Sequence, residues 1–272
     1  MEVSQVLHMN GGNGDNSYAT NSILQKIAIT KARSVMNRSI SDLYTTNPPR
    51  WLRVADLGCS SGPNTLLVII EAIDEICRQL NHNVPEFQVF LNDLPSNDFN
   101  SIFKTFPALF YEQLGKEKGE KFGSCSIVGI PGSFYEGFFP STTIEFFHSS
   151  YSLHWLFQGH IEEAKADSFN VPFYMPSRKE VEAIICGEGS FYLDQLEIFN
   201  INWDGSDDDE NFTFDRFISA QKMAKFLRAV ATPLIACHFG DAVIDVLFNR
   251  YIEYVGDHLS KEEDKFAILS FP

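Results

Sequence analysis

Two glycines and an aspartate form the segment whose spacing most suggests ligand binding. Residues 56–64 read Asp-Leu-Gly-Cys-Ser-Ser-Gly-Pro-Asn and follow a short apolar run. Gly58 and Gly62 allow a sharp turn and a close approach of the backbone, because neither carries a Cβ. The spacing is D-x-G-x-x-x-G, which differs from the G-x-G-x-x-G of pyrophosphate-binding turns. An ordinary corner between a strand and a helix is the alternative interpretation.

A second acidic residue follows the next apolar run, in the segment Asn92-Asp93-Leu94-Pro95. An acidic side chain at the tip of a second parallel strand is placed to accept hydrogen bonds from two ribose hydroxyls. A solvent-facing Asp in a turn that contains proline is the alternative. The two motifs in succession favour a ligand that contains adenosine, but they do not distinguish a methyl donor from a dinucleotide.

Aromatic and small polar residues follow two further apolar runs. Ser133 and Phe134 belong to a Gly-Ser-Phe turn that could bring an aromatic face against adenine. Tyr151, His154 and Trp155 come after the next run and could cluster at the same end of the sheet. For His154 and Trp155, an ordinary pair of core aromatic residues is the alternative.

The glycine-rich stretch 8–25 has two interpretations. It is either a flexible tail that leads into a capped helix, or a lid that folds over the pocket. In the second interpretation, Tyr18, Ser22 and Gln25 face the ligand.

Alternating strands and helices are expected to position these segments. Short apolar runs predict strands over 52–56, 87–91, 126–130 and 143–148, and helical spacing predicts helices over 21–44, 65–80 and 101–114. This order predicts βαβ units and a mostly parallel sheet that is buried on both faces. Ligands bind at the carboxyl ends of the strands in such sheets, which is where the motifs lie.

The second half of the chain has a different pattern. Helices are predicted over 161–169, 177–186, 212–236 and 240–258, and strands over 190–203 and 266–271. The acidic run 204–210 lacks the spacing of a calcium loop and is predicted to be a solvated connector.

Composition disfavours some classes of binding partner and indicates a cellular setting. The 272 residues include 36 acidic and 21 basic side chains, which give a net charge of −15. This charge argues against a broad nucleic-acid surface and against docking on anionic membranes. The five cysteines form no CxxC pair, so a reduced, cytoplasmic setting is expected. The 25 phenylalanines indicate either a bulky core or an aromatic-lined pocket.

Five ordered segments resemble the plant SABATH methyltransferases, namely HMNGGNGDNSYATNS, ADLGCSSGPN, FLNDLPSNDFN, GIPGSFYEGFFP and HSSYSLHWL. The resemblance runs from residue 1 to about 158. It resumes in IEEAKADSFNVPFYMPSRKEVE, EGSFYLDQLEIFNINWD and RAVATPLIACHFGDAVIDVLFNRY.

The resemblance implies a class I methyltransferase fold, which is a Rossmann-like α/β sheet with helices on both faces and a helical cap, often as a homodimer. It divides the chain into a lid segment and helix (1–50), a core that binds S-adenosylmethionine (51–158), and cap elements with returning C-terminal strands of the core (159–272). The implied reaction moves a methyl group from S-adenosylmethionine to a small, aromatic carboxylic acid such as salicylate or benzoate, giving a methyl ester. Transfer to a xanthine nitrogen is the alternative within the family.

Matching motif positions assigns residues to each ligand. The cofactor is expected to contact Tyr18, Ser22, Asp56, Cys59, Asn64, Asp93, Leu94, Ser133 and Phe134. The acid is expected to contact Gln25, Tyr151, His154, Trp155, Leu227 and Val230. Some members of the family are described with Mg²⁺ at a segment that falls here on Asp167, Phe169 and Asn170, where a structural turn is the alternative.

No catalytic acid or base is expected. A carboxylic acid is already ionised at neutral pH, so catalysis reduces to in-line positioning and exclusion of water. Gln25 and Trp155 are expected to hold the carboxylate through neutral hydrogen bonds.

One departure from the family is clear. In the family, a long stretch with a fifth central strand, a helix and part of the cap precedes the IEE segment, whereas here Gln158 runs directly into Gly159. A catalytically silent short form that binds only cofactor or a partner is therefore one alternative. A nucleotide-dependent oxidoreductase is another, although the D-x-G-x-x-x-G spacing disfavours it.

Overall fold

The first half of the chain alternates strands and helices, as predicted. A computed structural model describes residues 7–46, 50–79, 85–106, 124–152, 175–207, 213–261 and 265–271. The elements up to residue 152 are α1 (Tyr18–Asn21), α2 (Ile23–Thr46), β1 (Trp51–Leu57), α3 (Asn64–Gln79), β2 (Glu86–Asp93), α4 (Phe99–Phe106), β3 (Cys125–Pro131) and β4 (Phe146–Ser149).

These four strands form one parallel sheet in the order β3-β2-β1-β4. In the register of the sheet, Asp56 of β1 lies opposite Leu91 of β2 and His148 of β4. The α/β class with a parallel sheet is therefore confirmed. The carboxyl ends of β1, β2 and β3 meet at one edge, which is where the predicted motifs lie.

The main core lies between one face of the sheet and the helices α2, α3 and α4. Its fully buried side chains alternate along the strands and recur on one face of each helix, as in Leu52, Val54, Ile69, Ile73 and Phe87. Burial of such a continuous apolar surface is the dominant stabilising contribution to folding.

A loop covers part of the opposite face. Within the described residues, 132–145 contain no helix, and Phe139 of this loop contacts Phe90 and Phe147 with ring centroids 5.4 and 5.8 Å apart. Phe147 of β4 remains 53% exposed, and β4 pairs with β1 alone among the described strands. This face is therefore less covered than the helix-packed one.

The second half contains α5 (Arg178–Glu188), β5 (Glu197–Asn202), α6 (Arg216–Phe239), α7 (Ile244–Leu259) and β6 (Lys265–Ser270). β5 and β6 form an antiparallel pair of their own, so in the described residues they do not join the parallel sheet. The helices α6 and α7 pack against each other and against the start of α2 through two further apolar clusters. No helix in the described ranges is long and apolar enough to cross a membrane.

Several predicted boundaries differ from the observed ones. The strand predicted over 190–203 is paired only over Glu197–Asn202, because its partner β6 is six residues long. The strand predicted over 143–148 begins at Phe146, and the helix predicted over 240–258 begins at Ile244 after a single 3₁₀ turn. The helix predicted over 101–114 is observed as Phe99–Phe106, and its remainder lies outside the described residues, as does the helix predicted over 161–169.

The acidic run after β5 is not merely a solvated connector. Asp204 is 7% exposed, and its carboxylate accepts hydrogen bonds from the Ser219 hydroxyl at 2.5 Å and the Ser206 N–H at 3.1 Å. Asp207 forms an ion pair with Lys31 of α2. These contacts connect the turn to α6 and α2, which composition alone did not indicate.

Candidate active site

The glycine-rich turn between β1 and α3 is held against the end of β2. The backbone N–H groups of Gly58 and Cys59 both donate to the Asn92 carbonyl, at 2.9 and 3.0 Å. Gly58 has a φ of 77°, in the left-handed region that favours glycine. A Cβ at this position would overlap the Ser152 side chain. The turn therefore needs glycine both for its conformation and for the approach of the chain after β4.

Asp93 ends β2 and is tied to the same turn. Its carboxylate accepts hydrogen bonds from the Ser60 N–H and from the Leu94 N–H, each at 2.7 Å. Burial raises the pKa of Asp93 to about 6, although these two N–H groups act in the opposite direction. The alternative of a solvent-facing Asp in a simple turn does not describe this arrangement, because the side chain is partly buried and joins two loops.

The stretch 8–25 lies over the turn in the range that the structure describes, and we call it the N-terminal lid. Asn64, at the start of α3, donates through Nδ2 to the carbonyl and the hydroxyl of Ser22, both at 3.0 Å. Tyr18 is 8% exposed, and burial raises the pKa of its hydroxyl. The hydroxyl therefore stays neutral at physiological pH.

A narrow cleft lies between the lid and the sheet. Its lining includes the predicted residues Tyr18, Gln25, Asp56, Cys59 and Asn64. Its volume is about 20 Å³, which is room for roughly one water molecule. The cleft as it stands is therefore smaller than a site for a ligand of cofactor size.

The polar atoms of this region fit the amino-acid end of S-adenosylmethionine. The buried Gln25 Oε1 and Ser61 Oγ have no hydrogen-bond partner among the residues that the structure describes. Buried polar groups are normally paired, so the Gln25 oxygen, which belongs to the cleft lining, is available to a ligand's N–H group. Asp56 adds a carboxylate that can face an ammonium group.

His148 belongs to this cleft although the sequence interpretation did not select it. Its Nδ1 lies 2.8 Å from Asp56 Oδ1, and the Thr65 hydroxyl donates to Asp56 Oδ2 at 2.5 Å. The three side chains come from β4, β1 and α3. The alternation of side chains along β4 was the available signal. It places His148 on the same face of the sheet as Phe146, and Phe146 pairs with the buried Val54 of β1.

Ser133 and Phe134 lie beyond β3 and do not line the lid cleft, and Phe134 belongs to a different cavity. Phe134 lines a space of about 240 Å³ together with Leu57, Phe138, Phe139 and Phe147. The ring of Phe134 lies 5.1 Å from that of Tyr135, and the Ser133 hydroxyl accepts a long hydrogen bond from the Tyr135 N–H. An aromatic-lined pocket is thus present, next to the turn rather than within the cleft.

The predicted acceptor residues are only partly described. Tyr151 and Leu227 are partly buried and pack against one apolar cluster that also contains Leu24, the neighbour of Gln25. Val230 is partly buried on α6, and no contact within the described ranges places it at the cleft. The remaining predicted site residues lie outside the described ranges, namely His154, Trp155, Asp167, Phe169 and Asn170.

Known proteins match this chain over almost its whole length. A probable jasmonic acid carboxyl methyltransferase from Theobroma cacao is 37% identical, over 99% of this chain and 98% of the relative. The salicylate carboxymethyltransferase of Clarkia breweri is 34% identical, over 98% and 97% of the two chains. Among solved structures, a loganic acid methyltransferase with S-adenosylhomocysteine matches with a TM-score of 0.74 at 22% identity, covering 97% of each chain, and so supports the fold.

The same comparisons locate the stretch that this chain lacks relative to the family. The alignment with the first relative spans 366 positions, whereas this chain has 272 residues, so at least 94 positions have no counterpart here. The sequence model of the SAM-dependent carboxyl methyltransferase family matches residues 4–158 and 156–271. The two matches join where the sequence predicts the missing stretch, directly before Gly159.

The family model covers nearly the whole chain, and relatives more than 30% identical extend from one end of it to the other. This match confirms the resemblance and resolves the choice between a methyl donor and a dinucleotide that the turn left open. The chain belongs to the S-adenosylmethionine-dependent carboxyl methyltransferase family.

Proposed function

We propose that this chain methylates the carboxylate of a small organic acid of the salicylate, benzoate or jasmonate type. Relatives that are 33–37% identical are named for these acids. The observation that carries the proposal is the convergence of the lid, the Gly58 turn and the carboxylates of Asp56 and Asp93 at one edge of the sheet.

The proposal assigns the cofactor to this edge. S-adenosylmethionine, when bound, supplies the electrophilic methyl group. Asp56 would face its amino-acid end, and Asp93 would accept hydrogen bonds from its ribose. The full proposed set is Tyr18, Ser22, Asp56, Cys59, Asn64, Asp93, Leu94, Ser133 and Phe134.

The acid needs positioning more than activation. Because its carboxylate is ionised at neutral pH, no side chain has to remove a proton. Gln25 offers a neutral amide from the buried wall of the cleft, where hydrogen bonding without a counter-charge leaves the carboxylate nucleophilic. The proposed acceptor set is Gln25, Tyr151, His154, Trp155, Leu227 and Val230.

A xanthine nitrogen is the second candidate acceptor. A probable caffeine synthase from Coffea canephora is 34% identical, over 92% of each chain. A neutral purine would need no carboxylate-binding groups, so the two candidates differ in their dependence on Gln25.

Further parts of the proposal concern organisation and setting. We assign residues 1–50 to the lid and first helix, 51–158 to the cofactor core and 159–272 to the cap and C-terminal strands. The five cysteines are far apart in the sequence and form no CxxC pair, which supports a cytoplasmic setting. A homodimer and a Mg²⁺ ion near Asp167, Phe169 and Asn170 are further proposals that rest on the family resemblance.

Titration calorimetry with S-adenosylhomocysteine, followed by methyl-transfer assays on the same sample, tests the proposal. The acceptors are salicylate, benzoate, jasmonate, indole-acetate and xanthines. Binding with ester formation on one acid supports the proposal, and transfer to xanthine alone replaces it with the second candidate. Binding without turnover identifies a silent short form, and failure to bind overturns the proposal.

A further inference from the structure

A proline interrupts the hydrogen bonding of α6 where the N-terminal lid contacts this helix. Pro233 lies inside α6 and has no N–H group. The carbonyl of Ala229, four residues earlier, therefore lacks the donor that an α-helix normally provides. Ala229 is 0% exposed, so water cannot readily replace that donor.

The lid provides a donor to this carbonyl. The backbone N–H of Asn10 donates to Ala229 O at 2.9 Å. The carbonyl of Asn10 in turn accepts a hydrogen bond from the Tyr18 N–H at 2.8 Å. The side-chain amide of Asn10 donates to Asn16 O, also at 2.8 Å. The anchor on α6 is thus connected through one residue to Tyr18, which lines the cleft.

A second contact fixes the middle of the lid. The Gly12 N–H donates to Asp98 Oδ2 at 2.9 Å, and the other oxygen of Asp98 accepts from the Ser101 N–H at the start of α4. A Cβ at Gly11 would lie 3.0 Å from the Asp98 Cβ, so the two segments are in close contact. The lid is therefore held at two places, by α6 and by the residue that precedes α4.

We propose that Pro233 is a positioning residue for the cofactor. By leaving the Ala229 carbonyl without a helical donor, it creates the docking point for Asn10 and so holds Tyr18 at the cleft. The same anchor couples the lid to the helix that carries Leu227 and Val230. This inference rests on the proposed function of the cleft as the cofactor site.

The substitution Pro233→Ala tests the inference, because the alanine supplies an N–H that competes with Asn10 for the Ala229 carbonyl. We expect the Tyr18 amide hydrogen to exchange about tenfold faster, and S-adenosylhomocysteine to bind about three- to tenfold more weakly, since a hydrogen bond of this kind is lost. The melting temperature should stay equal or rise, because alanine is the better helix former. A purely structural role would instead lower stability and affinity together.

Matched variants separate the lid contact from general effects. Lys225→Ala, on the exposed surface of α6, should leave Tyr18 exchange and S-adenosylhomocysteine affinity unchanged. Asn10→Pro removes the donor itself and should reproduce the faster Tyr18 exchange and the weaker S-adenosylhomocysteine binding, whereas its melting temperature should fall because the Ala229 carbonyl then has no donor. Asn10→Ala keeps the backbone N–H and should have a smaller effect.

Each outcome decides one part of the inference. Unchanged Tyr18 exchange in both Pro233→Ala and Asn10→Pro overturns the lid contact. Faster exchange with unchanged S-adenosylhomocysteine affinity overturns its role in cofactor binding. Failure of the unmodified chain to bind S-adenosylhomocysteine overturns the proposed function instead, because exchange at Tyr18 is measured without ligand.

Discussion

Asp93 is a carboxyl group whose charge depends on its position in the fold. Burial raises its pKa from 3.8 to about 6. Because the folded pKa exceeds the unfolded one, the contribution of Asp93 to stability is fully present below about pH 4 and is lost as the pH rises through about 6. The ionised form is the better acceptor for ribose hydroxyls, so ligand affinity should change in the opposite direction.

We therefore expect S-adenosylhomocysteine to bind about tenfold more weakly at pH 5 than at pH 8, since about a tenth of Asp93 is ionised one unit below its pKa. Titration calorimetry across this range measures the change. Asp93→Asn should bind weakly at all pH values with a flat profile. An equally steep profile in the variant would assign the pH dependence to another group.

His148 is expected to orient Asp56. The buried carboxylate has two side-chain partners, His148 Nδ1 and the Thr65 hydroxyl. His148→Phe keeps a ring but removes one partner, and leaving a buried acceptor short of a partner costs about 1–3 kcal/mol. We expect kcat/KM for S-adenosylmethionine to fall at least about tenfold, mainly through KM.

His148→Asn is the matched variant, because its amide nitrogen can take the place of Nδ1. It should restore most of the S-adenosylmethionine affinity that His148→Phe loses. If both variants lose the same affinity, the packing of the imidazole ring, and not its hydrogen bond to Asp56, is what the site needs.

Among the elements, the turn between β1 and α3 imposes the strictest steric requirement. Gly58→Ala places a Cβ against Ser152 at a φ of 77°, so we expect a loss of about 1–3 kcal/mol in the free energy of unfolding. Gly62→Ala is the matched control, since its Cβ would make only ordinary contacts of 3.4 Å with Ala19 and Tyr18. Urea denaturation of both variants measures the difference, and equal losses would contradict the argument.

The elements also show how far the sequence could predict the fold. The strands β1, β2 and β3 have local signals, namely apolar runs that end in glycine or acidic turns, and their positions were predicted within one or two residues. The strand β5 was predicted too long because its length depends on β6, which lies far along the chain. Local periodicity carries no information about a distant partner.

The candidate site shows the same limit. The motif positions Tyr18, Gln25, Asp56, Cys59 and Asn64 line one cleft in the structure, and their roles toward the ligands stay predictions. They missed His148 and Thr65, because these side chains reach the Asp56 carboxylate from other elements of the fold. The sequence also could not predict the hydrogen bond from Asn10 to α6, because it joins residues that are far apart in the chain.

At the scale of the whole molecule, the stretch that is missing before Gly159 lies between the residues proposed for the cofactor and part of those proposed for the acid. The side chains proposed for the cofactor precede it, and all of them lie on described elements or turns before residue 135. The described acceptor residues instead include Leu227, from the second half, and the alignment with the first Theobroma cacao relative contains at least 94 further positions. We therefore expect the missing positions to affect the proposed acceptor site more than the proposed cofactor site.

This asymmetry predicts the effect of restoring the missing stretch. Inserting between Gln158 and Gly159 the corresponding segment of the Theobroma cacao relative should raise kcat/KM for the preferred acid at least about tenfold, because a few added apolar contacts are worth that much. The dissociation constant of S-adenosylhomocysteine should stay within about a factor of two, since no proposed cofactor residue is altered. A Gly/Ser linker of equal length is the control, and it should leave the kinetics of the acid unimproved. An equal gain with the linker would show that the spacing of the two halves, and not the content of the missing segment, limits use of the acid.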